Sequence, residues 1–520
     1  MESDHDIRRV CFIAALLPLL FGAFTLFEPF GRDQGIHATI AYALQEGLAT
    51  YRDVYNIKPP MTTATHWLAL ELFGHSYHAI RILDLIFVSA GLASLSGSVL
   101  LLGGSRALAL GASVGFASLF YVMGYWEHAQ TDGWATIWLI FALNFTALGW
   151  NETPGHRRSL LFAFAGFAMG VAFCYKYTIG TVGLLVFAPL LVPGREVRFH
   201  WRDLFWLVIG GLACLVFVFG FLAATGVLDP FLEIQSYIRS YLSYSRTIPS
   251  IITHYAVLTW ASSVGNAALI ALGALAFLVT AIQRSTLLHV VTLVMIVTGM
   301  ISAIAQGKGF PYHYLPVYTG AALLIGFGIE ALTSALMRSR ALARRRGLVW
   351  AVIILGIGLA CGALYPNLKR VALVATGKIS PRDIAMAYDN ESDYSFADLL
   401  AFSEQFAEIR QPGETFFLWG YETGLYFLME QPPLHRYPYS WPFVVRFHDG
   451  RYTPDLRARL EADPPDYIVI QNSDATPWVT ANPDDSRAFL PKLPEINDFV
   501  TEGYALMLEA ERFDLWKRKM

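Results

Sequence analysis

The sequence predicts a mainly α-helical, polytopic membrane protein with a C-terminal α/β domain outside the membrane. Hydrophobic residues make up 55% of the 520 residues and charged residues only 15%, which is too little charge to cover the surface of a soluble protein of this size. Mean hydropathy is +0.44. About eleven apolar runs approach the length of about 20 residues that a membrane-spanning helix needs.

The apolar runs give the order of the spans. They cover residues 10–29, 79–102, 106–125, 133–150, 159–175, 178–193, 204–225, 257–282, 286–305, 314–336 and 347–365. The first run follows two arginines, as in a signal peptide, but no small-residue cleavage site follows it, so we interpret it as an uncleaved span. Segment 59–74 is apolar but short, which predicts an interfacial or re-entrant helix. All four cysteines lie in apolar runs, and we predict no disulfide.

Basic residues sort the loops onto two sides. If the N-terminus is cytoplasmic, the arginine-bearing loops all follow even-numbered spans, and by the positive-inside rule these loops are cytoplasmic. The opposite loops carry the unusual polar motifs. This predicts a multi-pass protein of the bacterial inner membrane with a periplasmic C-terminus. The net charge of -3 gives no field that would attract nucleic acid.

The composition changes near residue 365, which divides the chain into a transmembrane domain, 1–365, and a periplasmic α/β domain, 366–520. In the second domain, hydrophobic patterns predict strands at 416–419 and 467–470, a helix within 393–410 and a terminal hairpin from 504. No nucleotide-binding loop motif is present, so a nucleoside-triphosphate-driven reaction lacks sequence support. Segment 226–256 lacks a clear apolar period, and we predict a mobile lid there.

Two carboxylates on the outward side are candidate catalytic residues. Asp33 follows the first span, and Asp132 opens the fourth. Charged residues at a membrane face are functional candidates, although Asp33 also fits an interfacial pair with Arg32, and Asp132 fits a helix N-cap. Glu127, His128 and Asp132 form only a weak metal-ligand pattern.

The same side of the membrane carries cations suited to an anionic leaving group. The predicted donor-phosphate contacts are Lys58, Lys176, Lys308 and His313. A carboxylate that deprotonates an acceptor, together with cations that stabilise a departing phosphate, is what an inverting sugar transfer requires. Lys176 fits equally well as a residue that extends to the interface. The predicted substrate contacts are Arg32, His37, His128, Tyr312 and Tyr314.

These motifs resemble the GT-C superfamily of membrane glycosyltransferases, and in particular bacterial enzymes similar to protein O-mannosyltransferases and lipid A aminoarabinose transferases. The resemblance spans roughly residues 1–335 and rests on Asp33, the Gly47 to Tyr51 stretch, Lys58-Pro59-Pro60, the Gly74 to Arg81 segment, Asp132, Lys176 and the run from Tyr312 to Pro316. It implies that Asp33 is the catalytic base and that Asp132 is a second acidic site. It also implies that Lys58 and the loop with Lys308 and His313 contact the donor phosphate.

One departure from the family pattern concerns metal. Many relatives have Asp-Glu at the first motif, whereas this chain has Asp33-Gln34. The single carboxylate favours chemistry that requires no cofactor, with any divalent metal limited to a structural role. The implied partners are a polyprenyl-phosphate sugar donor, membrane lipids, and an envelope acceptor that is a lipid, polysaccharide, lipopolysaccharide or protein.

Two other functions stay open at this point. A transporter or flippase for a lipid-linked or sugar substrate is one, although the polar residues lie in outward loops and not near the middle of the spans, and no inverted repeat is visible. A scaffold subunit without activity is the other. Convergence of Asp33, Asp132 and Lys308 in one outward cavity would favour an enzyme, whereas a path to the cytoplasmic face would favour transport.

Overall fold

A computed structural model describes residues 4–192, 199–338, 358, 362–388 and 393–519. The helices of the membrane region are α1 (Asp4–Gly22), α2 (Arg32–Gln45), α3 (Pro60–Phe73), α4 (Tyr77–Leu101), α5 (Arg106–Tyr121), α6 (Thr131–Asn151), α7 (His156–Tyr175), α8 (Trp201–Ala224), α9 (Leu228–Tyr237), α10 (Ile248–Ser262), α11 (Val264–Gln283), α12 (Leu287–Gln306) and α13 (Leu315–Arg338). Segments of 3₁₀ helix cover Ala23–Phe27, Tyr177–Leu191, Ile238–Tyr244 and Pro311–Tyr314.

The predicted polytopic fold is confirmed. Within the described ranges, 8 helices are long and apolar enough to cross a membrane: His5–Phe27, Tyr77–Leu101, Thr131–Asn151, His156–Tyr175, Trp201–Ala224, Val264–Gln283, Leu287–Gln306 and Pro311–Met337. Two shorter apolar helices, Arg106–Tyr121 and Tyr177–Leu191, coincide with two further predicted spans. The predicted span 347–365 lies almost entirely outside the described residues.

The helix Tyr177–Leu191 spans a greater length than an α-helix with the same number of residues. It is a 3₁₀ helix of 15 residues. The 3₁₀ rise of about 2.0 Å per residue extends such a segment over about 30 Å, whereas an α-helix of that length reaches only about 22 Å. The segment therefore matches the thickness of the hydrocarbon core.

Two predictions about local structure were wrong. The span 257–282 is not one helix, because α10 ends at Ser262 and α11 begins at Val264. The Ser263 hydroxyl accepts a hydrogen bond from the backbone N–H of Asn266 at 3.2 Å and caps the restarted helix. Segment 226–256 does have a helical period, since α9 buries Phe231, Ile234 and Tyr237 along one face. Its role as a lid stays a prediction.

Helices α7 and α8 pack with their backbones close together. A Cβ added at Gly166 would lie 1.8 Å from the Leu207 carbonyl oxygen, and one at Gly210 would lie 1.9 Å from that of Ala163. Close approach through small residues is typical of helix pairs in membranes, where apolar side chains gain little by leaving lipid. This pair supports Lys176, which directly follows α7.

The described residues from 365 to 519, which we call the tail, contain a small mixed sheet. The strands predicted at 416–419 and 467–470 and the terminal hairpin from 504 are confirmed. The strands of the sheet are β1 (Phe416–Trp419), β2 (Tyr467–Gln471), β3 (Tyr504–Glu509) and β4 (Phe513–Arg518), in the order β1-β2-β4-β3. Strands β1 and β2 are parallel, with Phe416 opposite Tyr467, and the other two pairings are antiparallel. The helices are α14 (Tyr365–Ala375), α15 (Pro381–Ala385), α16 (Phe396–Ile409), α17 (Gly424–Leu428), α18 (Trp441–Val444), α19 (Thr453–Ala462), α20 (Pro477–Thr480), α21 (Ser486–Phe489) and α22 (Pro494–Gly503), with short 3₁₀ turns at Gly362–Leu364 and Leu490–Lys492.

Candidate functional site

A cavity of about 890 Å³ lies between the outward loops of the membrane region and the tail. Eight of the predicted site residues line it: Arg32, Asp33, His37, Lys58, Lys176, Lys308, Tyr312 and His313. The tail contributes Asp393, Tyr421, Tyr439, Trp441, Trp478 and Val479 to its wall. Residues more than 400 positions apart therefore meet at one site.

Asp33 lies in the first turn of α2, where the helix N-terminus favours a negative charge. Its Oδ2 is 3.7 Å from the Nζ of Lys58, and the Gln130 amide and the Tyr312 hydroxyl each approach it at 3.5 Å. All three distances exceed those of strong hydrogen bonds. The carboxylate thus faces the cavity with weak contacts that a substrate hydroxyl can replace.

The backbone of Lys58 is fixed by its neighbours. Its N–H donates to the Asn56 side chain at 2.9 Å, and its carbonyl accepts from the Tyr51 hydroxyl at 2.9 Å. The following Pro59 is extended, and Pro60 opens α3, the position where a helix tolerates proline best. The Lys-Pro-Pro sequence therefore holds the ammonium group at the cavity wall opposite Asp33.

Asp132 has a different environment from Asp33. It is 0% exposed and does not belong to the cavity lining. Its Oδ2 is 3.0 Å from the Lys176 Nζ, and its Oδ1 accepts from the Gln306 amide at 2.9 Å. Burial lowers the pKa of Lys176, and the charge of Asp132 opposes that effect. Asp132 thereby keeps a cation at the cavity wall, and its catalytic role stays a prediction.

Lys308 and His313 belong to the loop between α12 and α13. The Lys308 Nζ donates to the Tyr241 carbonyl at 2.9 Å and lies 4.0 Å from the centre of the Tyr241 ring. Burial lowers the pKa of Lys308 to about 8. The Nδ1 of His313 is buried and has no hydrogen-bond partner among the described residues. Both side chains offer donors to an anionic ligand.

His37 is a buried cavity residue whose ring packs against that of His66, with 5.5 Å between the ring centres. His37 is 3% exposed, and neither of its ring nitrogens makes a hydrogen bond within the described part of the chain. Burial lowers the pKa of His37 well below its usual value, and the charges of Lys58 and Lys176 lower it further. The ring is therefore neutral at physiological pH and offers one donor and one acceptor.

Arg32 is predicted to contact substrate, but its donors point to the tail. Its Nε donates to Glu422 at 2.7 Å, its Nη1 donates to Asp393 at 2.8 Å, and its Nη2 donates to the Asp393 carbonyl. Burial alone would lower the pKa of Arg32. The negative charges of Glu422 and Asp393 outweigh burial and raise the pKa above its usual value. Burial in turn raises the pKa of Glu422 to about 7.

Two further predicted contacts lie outside the cavity lining. His128 is fully buried, with its Nδ1 2.8 Å from the Glu28 carboxylate. The Tyr314 hydroxyl donates to the Ile251 carbonyl at 2.8 Å. Both are packed into the protein interior, where they support the loops that carry the cavity residues.

Sequence reasoning missed the aromatic wall that the tail provides. Tyr439 and Trp441 are buried beside the cavity, whereas Trp478 is 48% exposed at its edge. No local pattern marks these residues, because their role follows from long-range packing. Gln130 and Gln306 were also missed, although both lie at the outer ends of predicted spans next to predicted site residues.

No three His, Cys, Asp or Glu side chains converge as a metal site in the described ranges. In the weak metal-ligand pattern of Glu127, His128 and Asp132, two members have other partners: Asp132 pairs with Lys176, and His128 pairs with Glu28. Metal-independent chemistry stays a prediction that chelation tests directly.

Residues 57–223 match the family described as dolichyl-phosphate-mannose-protein mannosyltransferase. No curated protein sequence matches the chain significantly. Among solved structures, ArnT from Cupriavidus metallidurans is similar over nearly the whole length. Its apo form is 15% identical with a TM-score of 0.62, covering 99% of this chain and 98% of that one. Its complex with undecaprenyl phosphate is 14% identical with a TM-score of 0.58, covering 98% and 97%.

The oligosaccharyltransferase of Archaeoglobus fulgidus is a third similar structure, with 13% identity and a TM-score of 0.50 over 98% of this chain and 73% of that chain. At such identities the structural matches establish the fold. The chain is thus a multi-pass helical membrane protein with the fold of ArnT. The segment that matches the mannosyltransferase family includes Lys58, Asp132 and Lys176.

Proposed function

We propose that the protein transfers a sugar from a polyprenyl-phosphate donor to an acceptor of the cell envelope, with inversion, at the periplasmic face of the inner membrane. The observation that carries this proposal is the cavity in which Asp33 lies 3.7 Å from Lys58, with Lys176 and Lys308 also in its lining. The ArnT structure with bound undecaprenyl phosphate supports a carrier lipid of this class.

In the proposed reaction, Asp33 accepts the proton of an acceptor hydroxyl or amine while that group attacks the anomeric carbon. The carbon–oxygen bond to the phosphate breaks, and the phosphate leaves with the bonding electrons. Lys58, Lys176 and Lys308 stabilise its negative charge, and the neutral imidazole of His37 or His313 can donate a further hydrogen bond. A single displacement with inversion needs the base and the leaving group on opposite faces of the sugar. The bound sugar therefore separates Lys58 from Asp33, whose 3.7 Å contact is weak enough to break.

The geometry favours an enzyme over a transporter. The described lining residues come from the outward loops, the outer ends of helices and the tail. None of those residues belongs to the described arginine-bearing loops around Arg106, Arg157 and Arg284, which the charge pattern assigns to the cytoplasm. A transport path requires access from both faces. The periplasmic orientation of the cavity is part of the proposal and follows from the charge pattern.

The test is a transfer assay with purified protein in detergent, a panel of radiolabelled polyprenyl-phosphate sugars, and membrane extract as the source of acceptors. We expect transfer from one donor, retained in EDTA. We also expect a loss of about 10²–10⁴-fold in Asp33→Asn, the usual contribution of a general base. Glu404→Gln is the matched control, because Glu404 forms an exposed pair with Arg382 away from the cavity.

Two results would overturn the proposal. One is full transfer by a folded Asp33→Asn variant. The other is no transfer with any donor while the protein moves a labelled lipid or sugar across proteoliposomes, which would establish the transporter instead.

A further inference from the structure

Asp33 lies between two residues that are held far more tightly than it is. Gln34 donates to the carbonyls of Trp126 and His128, both at 2.8 Å. Arg32 on the other side forms the contacts with Glu422 and Asp393 described above. Asp33 itself makes contacts of 3.5 Å or longer. The direction of its carboxylate is therefore set by the backbone between two fixed neighbours.

Glu422, one of the partners of Arg32, is as deeply buried as Arg32 and is held by the tail sheet. Glu422 is 2% exposed, and its backbone N–H donates to the Gln471 side chain at 3.0 Å, which ties it to the end of β2. The Arg32 guanidinium lies over the Tyr421 ring at 4.8 Å and the Tyr394 ring at 5.6 Å. The guanidinium also lies 5.9 Å from the centre of the Trp126 ring in the loop before α6. Residues of the tail and of this loop thus surround Arg32 on several sides, although it still lines the cavity.

The chain before and after Asp33 also contacts the tail. The Thr39 hydroxyl donates to the Thr423 carbonyl at 2.8 Å, and the Tyr394 hydroxyl donates to the Phe30 carbonyl at 2.7 Å. A Cβ at Gly35 would lie 3.4 Å from the backbone of Gly424. The tail therefore contacts the segment that carries Asp33 both before and after that residue in the sequence.

We propose that Glu422 and Asp393 of the tail are positioning residues for Asp33, because they fix Arg32 and through it the first turn of α2. The inference rests on the proposed function, in which Asp33 is the base. A base displaced by about 1 Å loses about 10²-fold in rate, so an intact tail is a requirement of the chemical step and not only a cover over the cavity. Arg32 then acts through its neighbour and does not need to touch substrate.

The test compares Glu422→Leu, Glu422→Gln and the matched control Glu404→Leu in the full-length protein. Glu422→Leu removes the acceptor of Arg32, and we expect kcat to fall about 10- to 100-fold with the KM for the donor changed less than about 3-fold. Glu422→Gln retains an acceptor oxygen and restores most of kcat. The control removes an exposed ion pair, and its kcat stays within about 2-fold of the wild-type value.

A double-mutant cycle separates positioning from general destabilisation. In the Asp33→Asn background, Glu422→Leu should lower the residual rate less than about 3-fold, because the base on which it acts is already gone. Equal losses in both backgrounds would overturn the inference. A raised KM with unchanged kcat would also overturn it, since that result marks a substrate contact.

Hydrogen exchange tests the same inference without any sugar donor. We expect peptides covering residues 30–40 to exchange at least about 10-fold faster in Glu422→Leu than in Glu404→Leu. Should Glu422→Leu fail to fold, Arg32→Lys retains the charge but lacks the forked donors, and the same loss of kcat and protection is expected. Unchanged protection at 30–40 would overturn the inference. Absence of transfer by wild type would instead overturn the proposed function.

Discussion

The carboxylate of Asp132 and the ammonium of Lys176 form a buried ion pair, with 3.0 Å between Oδ2 and Nζ. The Lys176 side chain is 17% exposed and that of Asp132 is 0% exposed. Asp132 is thus turned away from the cavity, and Lys176 is the member of the pair that lines it. Asp33 faces the cavity, whereas Asp132 holds Lys176 at its wall. This difference between the two carboxylates leads to the first prediction.

Asp132→Asn should lower both stability and transfer. Loss of one partner leaves Lys176 buried without its counter-charge, which costs about 3–5 kcal/mol. Replacement of both residues, as Asp132→Asn with Lys176→Met, should recover most of the lost thermal stability while transfer stays low. Thermal unfolding in detergent and the transfer rate measure the two effects. A single variant with normal Tm but no transfer would point instead to direct catalysis by Asp132.

Lys58→Met should weaken donor binding. A hydrogen bond to a charged group contributes about 1.5–3 kcal/mol, which corresponds to about 10- to 150-fold in Kd. Lys58→Arg retains the charge and should lose less. Binding of polyprenyl phosphate itself, measured by its effect on Tm, gives the comparison without chemistry. Equal affinity in wild type and Lys58→Met would remove Lys58 from the phosphate site.

Donor binding should weaken above pH 8. Burial lowers the pKa of Lys308 to about 8, so the ammonium is charged below that pH and loses its proton as pH rises through it. The KM for the donor should then rise by up to about 10-fold per pH unit, the slope of a single titration. In Lys308→Arg this alkaline limb should vanish, because guanidinium stays charged. An unchanged limb in that variant would assign the titration to another group.

His37→Phe should lower the transfer rate without lowering thermal stability. The ring nitrogens of His37 have no hydrogen-bond partner among the described residues, and replacement of such groups by an apolar side chain of similar shape is nearly neutral or stabilising. We expect an unchanged or higher Tm and at least a 10-fold loss of transfer, about the value of one lost hydrogen bond to a charged phosphate. His66→Phe is the control, since His66 is equally buried but does not line the cavity. Normal transfer by His37→Phe would exclude a substrate contact.

Much of the site was predictable because membrane topology restricts it. Charge sorting places Asp33, Lys58, Lys176 and Lys308 on one side, and the structure brings all four into one cavity. The distribution of charges between the loops does not predict the direction in which a side chain points. Asp132 and His128 lie on the predicted side but point into the protein. Asp132 is directed by α6 and its pair with Lys176, and His128 by its contacts with Glu28 and the Phe120 carbonyl.

Contacts of the tail could not be predicted in the same way. The tail strands were visible as short apolar runs, and the structure confirms β1 and β2 at the predicted residues. The pairing of Arg32 with Glu422 joins residues 390 positions apart, and no local pattern specifies such a pair. The helix α2 was also missed, since its 14 residues are too few to span the membrane and it begins with the polar residues Arg32, Asp33 and Gln34.

The membrane region and the tail both contribute to the wall of the cavity. This limits the exchange of either part between related proteins. Because Glu422 and Asp393 hold Arg32, and because Tyr439 and Trp441 line the space beside Asp33, the tail cannot be exchanged as an independent module. A chimera with the tail of another protein would need carboxylates in equivalent places before its membrane half could work.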